Sequence, residues 1–154
     1  MTTPTANWNY LTAIRFGSGR IRELPEVLRS NGITRPLLVT DAGLAALPVT
    51  TSTLEILREA GVPAALFCDV KPNPVAANVE AGVAVFRAGG HDGVIAFGGG
   101  SGLDTAKVIA FMSGQSRPMW DFEDIGHCWP RPTPEAIPPL VALLTPAGTA
   151  SAAG

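Results

Sequence analysis

Short runs of consecutive apolar residues recur along the chain, and between them apolar positions fall three and four apart. Residues 37–40, 64–68, 94–97 and 140–144 are nearly continuous in Leu, Val, Ile, Ala and Phe, the pattern of strands covered on both faces. The intervening stretches carry helix signals. Residues 21–30 place Leu24 and Leu28 on one face and stop at Gly32; residues 51–60 have Ser52 and Glu55 in capping-box spacing and stop at Gly61. Residues 75–88 follow Asn73 as the expected cap and Pro74 as the first helical residue, with a Val79, Val83, Phe86 stripe and Gly89-Gly90 beyond. Residues 103–112 form another helical run, and residues 10–16 suggest an extra strand at the edge. Strand-length and helix-length runs in alternation predict an α/β fold: a Rossmann-like, mainly parallel sheet with helices on both faces.

Length and composition agree with one domain over residues 1–154. A hydrophobic share of 46% against 16% charged residues is enough for a core in a chain of this size. The net charge of −2 offers no basic footprint, so nucleic acid and anionic membrane surfaces are not expected partners. No apolar run nears the roughly 18 residues of a membrane span, and the first residues lack a secretory pattern. Two cysteines, Cys68 and Cys128, make no disulfide framework. A cytoplasmic location is the resulting expectation. Pro130, Pro132, Pro134, Pro138 and Pro139 crowd into one long irregular connection before the last strand.

In a parallel sheet, ligands bind at the carboxyl ends of the strands. Those ends carry Asp41, residues 69–74, residues 98–101 and residues 145–151. The third is the most informative, because Gly98-Gly99-Gly100-Ser101 follows a strand and opens a helix. Glycines permit positive φ and close approach of main-chain N–H groups to an anion, and the helix adds its unpaired first-turn amides. Ser101 and Asp104 have capping-box spacing for that helix. The usual dinucleotide spacing is not met, since its third glycine falls on Leu103. Each segment also has a purely structural use: Asp41 can start an Asx-turn before Ala42-Gly43, Asn73 can cap a helix, and Asp104 and Lys107 can form a solvated pair.

Together these segments resemble the N-terminal half of the iron-containing (group III) alcohol dehydrogenases. The matching residues are Phe16-Gly17-Ser18-Gly19, Leu38-Val39-Thr40-Asp41-Ala42-Gly43-Leu44, Pro72-Asn73-Pro74, Asp92-Gly93-Val94-Ile95-Ala96-Phe97-Gly98-Gly99-Gly100-Ser101 with Asp104, Ala106 and Lys107, and Thr145-Pro146-Ala147-Gly148-Thr149-Ala150-Ser151. The resemblance implies a dinucleotide-binding domain for NAD, with NADP less favoured. In it Gly98, Gly99, Gly100 and Ser101 contact the pyrophosphate, Asp41 faces the adenosine ribose, and Asn73, Asp104, Thr145 and Thr149 line the cofactor cleft. The implied activity is hydride transfer between a small alcohol or aldehyde and the nicotinamide.

Family members hold Fe2+ or Zn2+ through one aspartate and three histidines of a C-terminal helical domain, whereas this chain has two histidines, His91 and His127. No metal site is expected in residues 1–154, although Asp121, Glu123, Asp124, His127 and Cys128 offer ligand types in one acidic loop. The family's Ala-Gly-Thr-Gly-Ser-Glu pattern reads Ala147-Gly148-Thr149-Ala150-Ser151-Ala152 here, with a glycine and an acidic residue replaced. The expectation is a truncated cofactor domain, inactive alone, that forms a homodimer or higher oligomer through residues 8–14. The alternatives are a catalytically silent dinucleotide-binding or interaction module, a glycerol or polyol dehydrogenase, and the related dehydroquinate synthase group.

Overall fold

The computed structural model describes residues 6–9, 12–123 and 132–145. Four strands, β3 (Pro36–Asp41), β4 (Ala65–Val70), β5 (Gly93–Gly98) and β6 (Leu140–Leu144), form one parallel sheet in the order β4-β3-β5-β6. Two short strands, β1 (Ala6–Asn9) and β2 (Ala13–Phe16), pair antiparallel with each other and stand apart from it. The single edge strand expected over residues 10–16 is thus replaced by a small two-stranded ribbon. Every residue of β2 is exposed, and its Arg15 pairs with Glu23 at 2.9 Å and Glu26 at 3.3 Å.

Helices cover both faces. Because side chains alternate along a strand, Leu37, Val39, Val94 and Ala96 face one side with Val79, Phe86, Leu103, Ala106 and Ile109 of α4 (Ala76–Ala88) and α5 (Gly100–Ser113). Leu38, Ile95 and Phe97 face the other with Leu24 and Leu28 of α1 (Leu24–Ser30) and Leu57 of α3 (Pro48–Glu59). Both layers are tight. A Cβ on Gly82 of α4 would run into the Ile109 side chain of α5, so that glycine sets how closely the two helices approach.

Three helix starts differ from expectation: a proline sets one, a side chain reaching back from the first turn sets another, and a glycine turn sets the third. α3 begins at Pro48, three residues before the expected Thr51, because proline's fixed φ suits the first helical position; Ser52 then lies inside the helix and Glu55 pairs with Arg58 at 2.6 Å. The N-cap of α4 is Val75, not Asn73, and Asn78 Oδ1 accepts from Val75 N–H at 3.1 Å while its Nδ2 donates to the Asp69 carbonyl at 2.9 Å. α5 starts at Gly100 with Gly99 as its cap, so Ser101 sits within the first turn instead of capping it. Residues 20–30 also divide, into a 3-10 turn over Arg20–Glu23 and then α1.

Candidate functional site

The strand order has one reversal. From β3 the chain passes through α2 (Ala42–Ala45) and α3 to β4 on one side, then through α4 to β5 on the other side of β3. Between the carboxyl ends of β3 and β5 the connections diverge, which opens a crevice where α/β sheets bind ligands. A cleft of about 360 Å³ lies there, lined by Asp41, Ala42 and Gly43 at the end of β3, Val70, Lys71 and Pro72 at the end of β4, and residues 99–102 at the start of α5.

Each wall has a local cause. Gly98 ends β5 with φ 137°, a conformation that L side chains rarely adopt, and this turns the chain into α5. Gly99 has φ −95°, and Gly100 is helical, so the latitude expected of all three glycines is used at Gly98 alone. A Cβ on Gly98 would sit 3.3 Å from the Leu44 side chain and 3.9 Å from both Asp41 Oδ2 and Thr40 Oγ1. Thr40 Oγ1 is fully buried and has no hydrogen-bond partner among the described residues. Gly102 stands 3.2 Å, measured from an added Cβ, from the Phe97 carbonyl oxygen, so it lets α5 pack closely on β5. That is the task of the third glycine in ordinary dinucleotide folds, performed one position before Leu103. No side chain caps α5, so the first-turn N–H groups of Gly100, Ser101 and Gly102, all on the cleft wall, have no partner within the helix.

Asp41 does double duty. Its Oδ1 accepts from Leu44 N–H at 2.9 Å and starts α2, the Asx-type use, while its other oxygen remains available on the cleft wall. Ser101 Oγ donates to the Pro72 carbonyl at 2.8 Å, tying the loop after β4 to the first turn of α5. The serine expected to hold an anion is thereby engaged through its hydroxyl, and its backbone N–H is what remains for a ligand.

The remaining expected residues fall around this centre. Asn73 is exposed on the loop after β4, and Asp104 is exposed on the second turn of α5; neither lines the cleft. Thr145 follows β6 and donates its N–H to the Gly98 carbonyl at 3.2 Å, which puts it beside the glycine turn but outside the cleft wall. Thr149 and residues 146–151 lie outside the described residues, as do Asp124, His127 and Cys128 of the acidic loop. Among the described residues no group of three or more His, Cys, Asp or Glu stands close enough to hold a metal ion. His91 is at the opposite end of the sheet, its Nδ1 3.0 Å from the Arg35 carbonyl.

Sequence reasoning did not single out Gly102 or Lys71. The signal for Gly102 was a small residue on the strand-facing side of the first helical turn, legible only once the helix is started at Gly100. The signal for Lys71 was the length of β4: the strand runs on to Val70 through the exposed Asp69, so Lys71 is the first residue beyond it.

Comparison with known proteins agrees with this geometry. The family model described as iron-containing alcohol dehydrogenase matches residues 12–154. A choline dehydrogenase of Bacillus subtilis (strain 168) is 36% identical over 140 residues, 91% of this chain and 34% of that protein. The crystal structure of a 1,3-propanediol oxidoreductase superimposes with a TM-score of 0.76 at 37% identity, covering 88% of this chain and 34% of the other. A sulfoacetaldehyde reductase from Bifidobacterium kashiwanohense, solved in complex with NAD+, gives a TM-score of 0.72 at 28% identity over 88% of this chain and 35% of its own. The chain thus spans about a third of the length of the relatives it matches. No described helix is long and apolar enough to cross a membrane.

Proposed function

Because the chain belongs to the iron-containing alcohol dehydrogenase family, we propose that residues 1–154 are the dinucleotide-binding part of an enzyme that moves hydride between a small alcohol and NAD. The observation that carries this reading is the meeting of three walls, Asp41, the loop after β4 and the open end of α5, in one cleft at the reversal of strand order. The residues fit the ligand: Gly98 turns the chain at a φ only glycine holds comfortably, and three amides at the start of α5 border the space where a pyrophosphate belongs. Asp41 accepts from the ribose hydroxyls and repels a 2′-phosphate, which favours NAD over NADP. Thr145, whose N–H donates to the Gly98 carbonyl, stands beside the glycine turn that shapes this space.

The bound groups supply the chemistry, the nicotinamide carrying hydride and a divalent iron or zinc acting as a Lewis acid on the alcohol oxygen. These residues do not fit the metal. Its implied set needs three histidines, the chain has two, and His91 is committed at the far end of the sheet. What this chain does is bind and orient the cofactor. Self-association is part of the same reading, through the ribbon of β1 and β2, where Ile14 and Phe16 expose about half of their surface.

Calorimetric titration of NAD and NADP into the wild type and Asp41→Gly tests the proposal. Wild type is expected to prefer NAD, and the variant to lose most of that preference; equal preference in both proteins would overturn the assignment of Asp41. Residues 1–154 with NAD, iron or zinc and short alcohols are expected to form no NADH. Metal-dependent turnover there would overturn the division of labour.

A further inference from the structure

Lys71 is the cation on the cleft wall. Among the described residues its ammonium has no ion-pair or hydrogen-bond partner, and the side chain is exposed. Its position follows from the register of the sheet. The strands run β4-β3-β5, so the end of α5, Asp41 and Lys71 stand in a row across three neighbouring strand ends, with Asp41 in the middle. A nucleotide with its 5′-phosphate at α5 and its ribose at Asp41 extends its base and its 2′-carbon away from α5, toward β4. Those are the parts of the molecule that meet Lys71.

We propose that Lys71 is a specificity-determining residue: its ammonium receives a 2′-phosphate on the adenosine ribose, offsets the repulsion from Asp41, and so narrows the discrimination between NAD and NADP. The proposal rests on the dinucleotide reading above. Its chemistry is that of an exposed, mobile point charge meeting a dianionic phosphate, worth about fivefold in affinity and weakened by salt. The long aliphatic stem can lie along the adenine at the same time, since lysine covers apolar surface while its head stays in water.

The probes are adenosine 2′,5′-bisphosphate and 5′-AMP, which differ only in the 2′-phosphate, titrated calorimetrically into wild type, Lys71→Gln and Lys71→Arg. Lys71→Gln is expected to weaken the bisphosphate about fivefold and to leave AMP within about twofold, Lys71→Arg to restore the bisphosphate, and added salt to shrink the difference. Equal weakening of both nucleotides would overturn the proposal by moving Lys71 to the shared 5′-phosphate. No change with either would overturn it as well, leaving the dinucleotide reading intact. If wild type binds neither nucleotide, both fall together.

Discussion

Asp41 and Asp92 lie at opposite ends of two neighbouring strands and spend their carboxylates in opposite ways. Asp92 precedes β5 and accepts from Thr34 N–H, from Thr34 Oγ1 at 2.6 Å and from Arg35 N–H at 2.7 Å, so it fastens the start of β3 to the start of β5. Partial burial pushes its carboxyl up, but the hydrogen bonds from the Thr34 side chain and from the Arg35 and Thr34 backbone outweigh that and hold it below the ordinary value. Asp41, at the other end of β3, accepts one such bond and keeps an oxygen for the cleft. The same residue type is a fastener where its acceptor capacity is filled and, on the reading proposed above, a recognition group where it is left partly open. The difference is made by how many backbone N–H groups the local chain turns toward it.

The comparison breaks hardest at Asp92. Asp92→Ala removes the shared acceptor of two backbone N–H groups and a hydroxyl on exposed residues that water can then solvate, which costs about 1–2 kcal/mol. Chemical denaturation is expected to show that loss, and calorimetry to show unchanged nucleotide affinity in the folded protein. Asp41→Ala should give the reverse pattern: about 1 kcal/mol of stability for the lost helix cap, but about tenfold in NAD affinity. If the two variants lose stability and affinity in the same proportion, the functional distinction between the two ends is wrong.

A pH series sharpens it. A carboxyl held below its unfolded value stabilises the fold fully above that value, near pH 4, and this contribution is lost as pH falls through the folded one. Urea midpoints of the wild type should therefore drop as pH falls below about 4, and Asp92→Asn should flatten that part of the curve. The smallest effect is expected from Ser101→Ala, which removes the bond to the Pro72 carbonyl. About 0.5–1 kcal/mol of stability is lost. Proteolysis within the loop after β4 should quicken, since the loop is then held less firmly against α5.

The strands were legible in the sequence as unbroken apolar runs: β3, β5 and β6 lie within about a residue of the runs at 37–40, 94–97 and 140–144. Only β3 and β5 are buried on both faces, whereas the edge strands β4 and β6 are partly exposed, contrary to expectation. Asp41 and the glycine segment were legible because strand ends in a parallel sheet gather on one edge. The helix starts were harder to read. Ser52, Asn73 and Ser101 are all good caps by residue type, and the helices instead begin at Pro48, after Val75 and at Gly100, where backbone conformation is already set by proline, by Asn78 reaching back, and by the turn at Gly98. Side-chain preference at a cap is worth about 1 kcal/mol, less than the packing that fixes where a helix must lie. Lys71 lay within the candidate segment 69–74 but was not distinguished there, since β4 continues past an exposed, charged Asp69 that ordinarily signals a strand's end.

The strand order also governs how the cleft comes into being during folding. β3 and β5, whose ends hold Asp41 and Gly98, are neighbours in space, yet the residues fastened at their other ends, Thr34 and Asp92, are 58 positions apart. Everything between them, α2, α3, β4 and α4, must be synthesised and looped out before the two halves of the cleft can meet, and such distant pairings form late and slowly. A nascent chain halted before β5 would own a carboxylate with nothing opposite it. Cofactor added during refolding can therefore engage only molecules in which the central strand has already inserted, and its binding would report that insertion as a single late event.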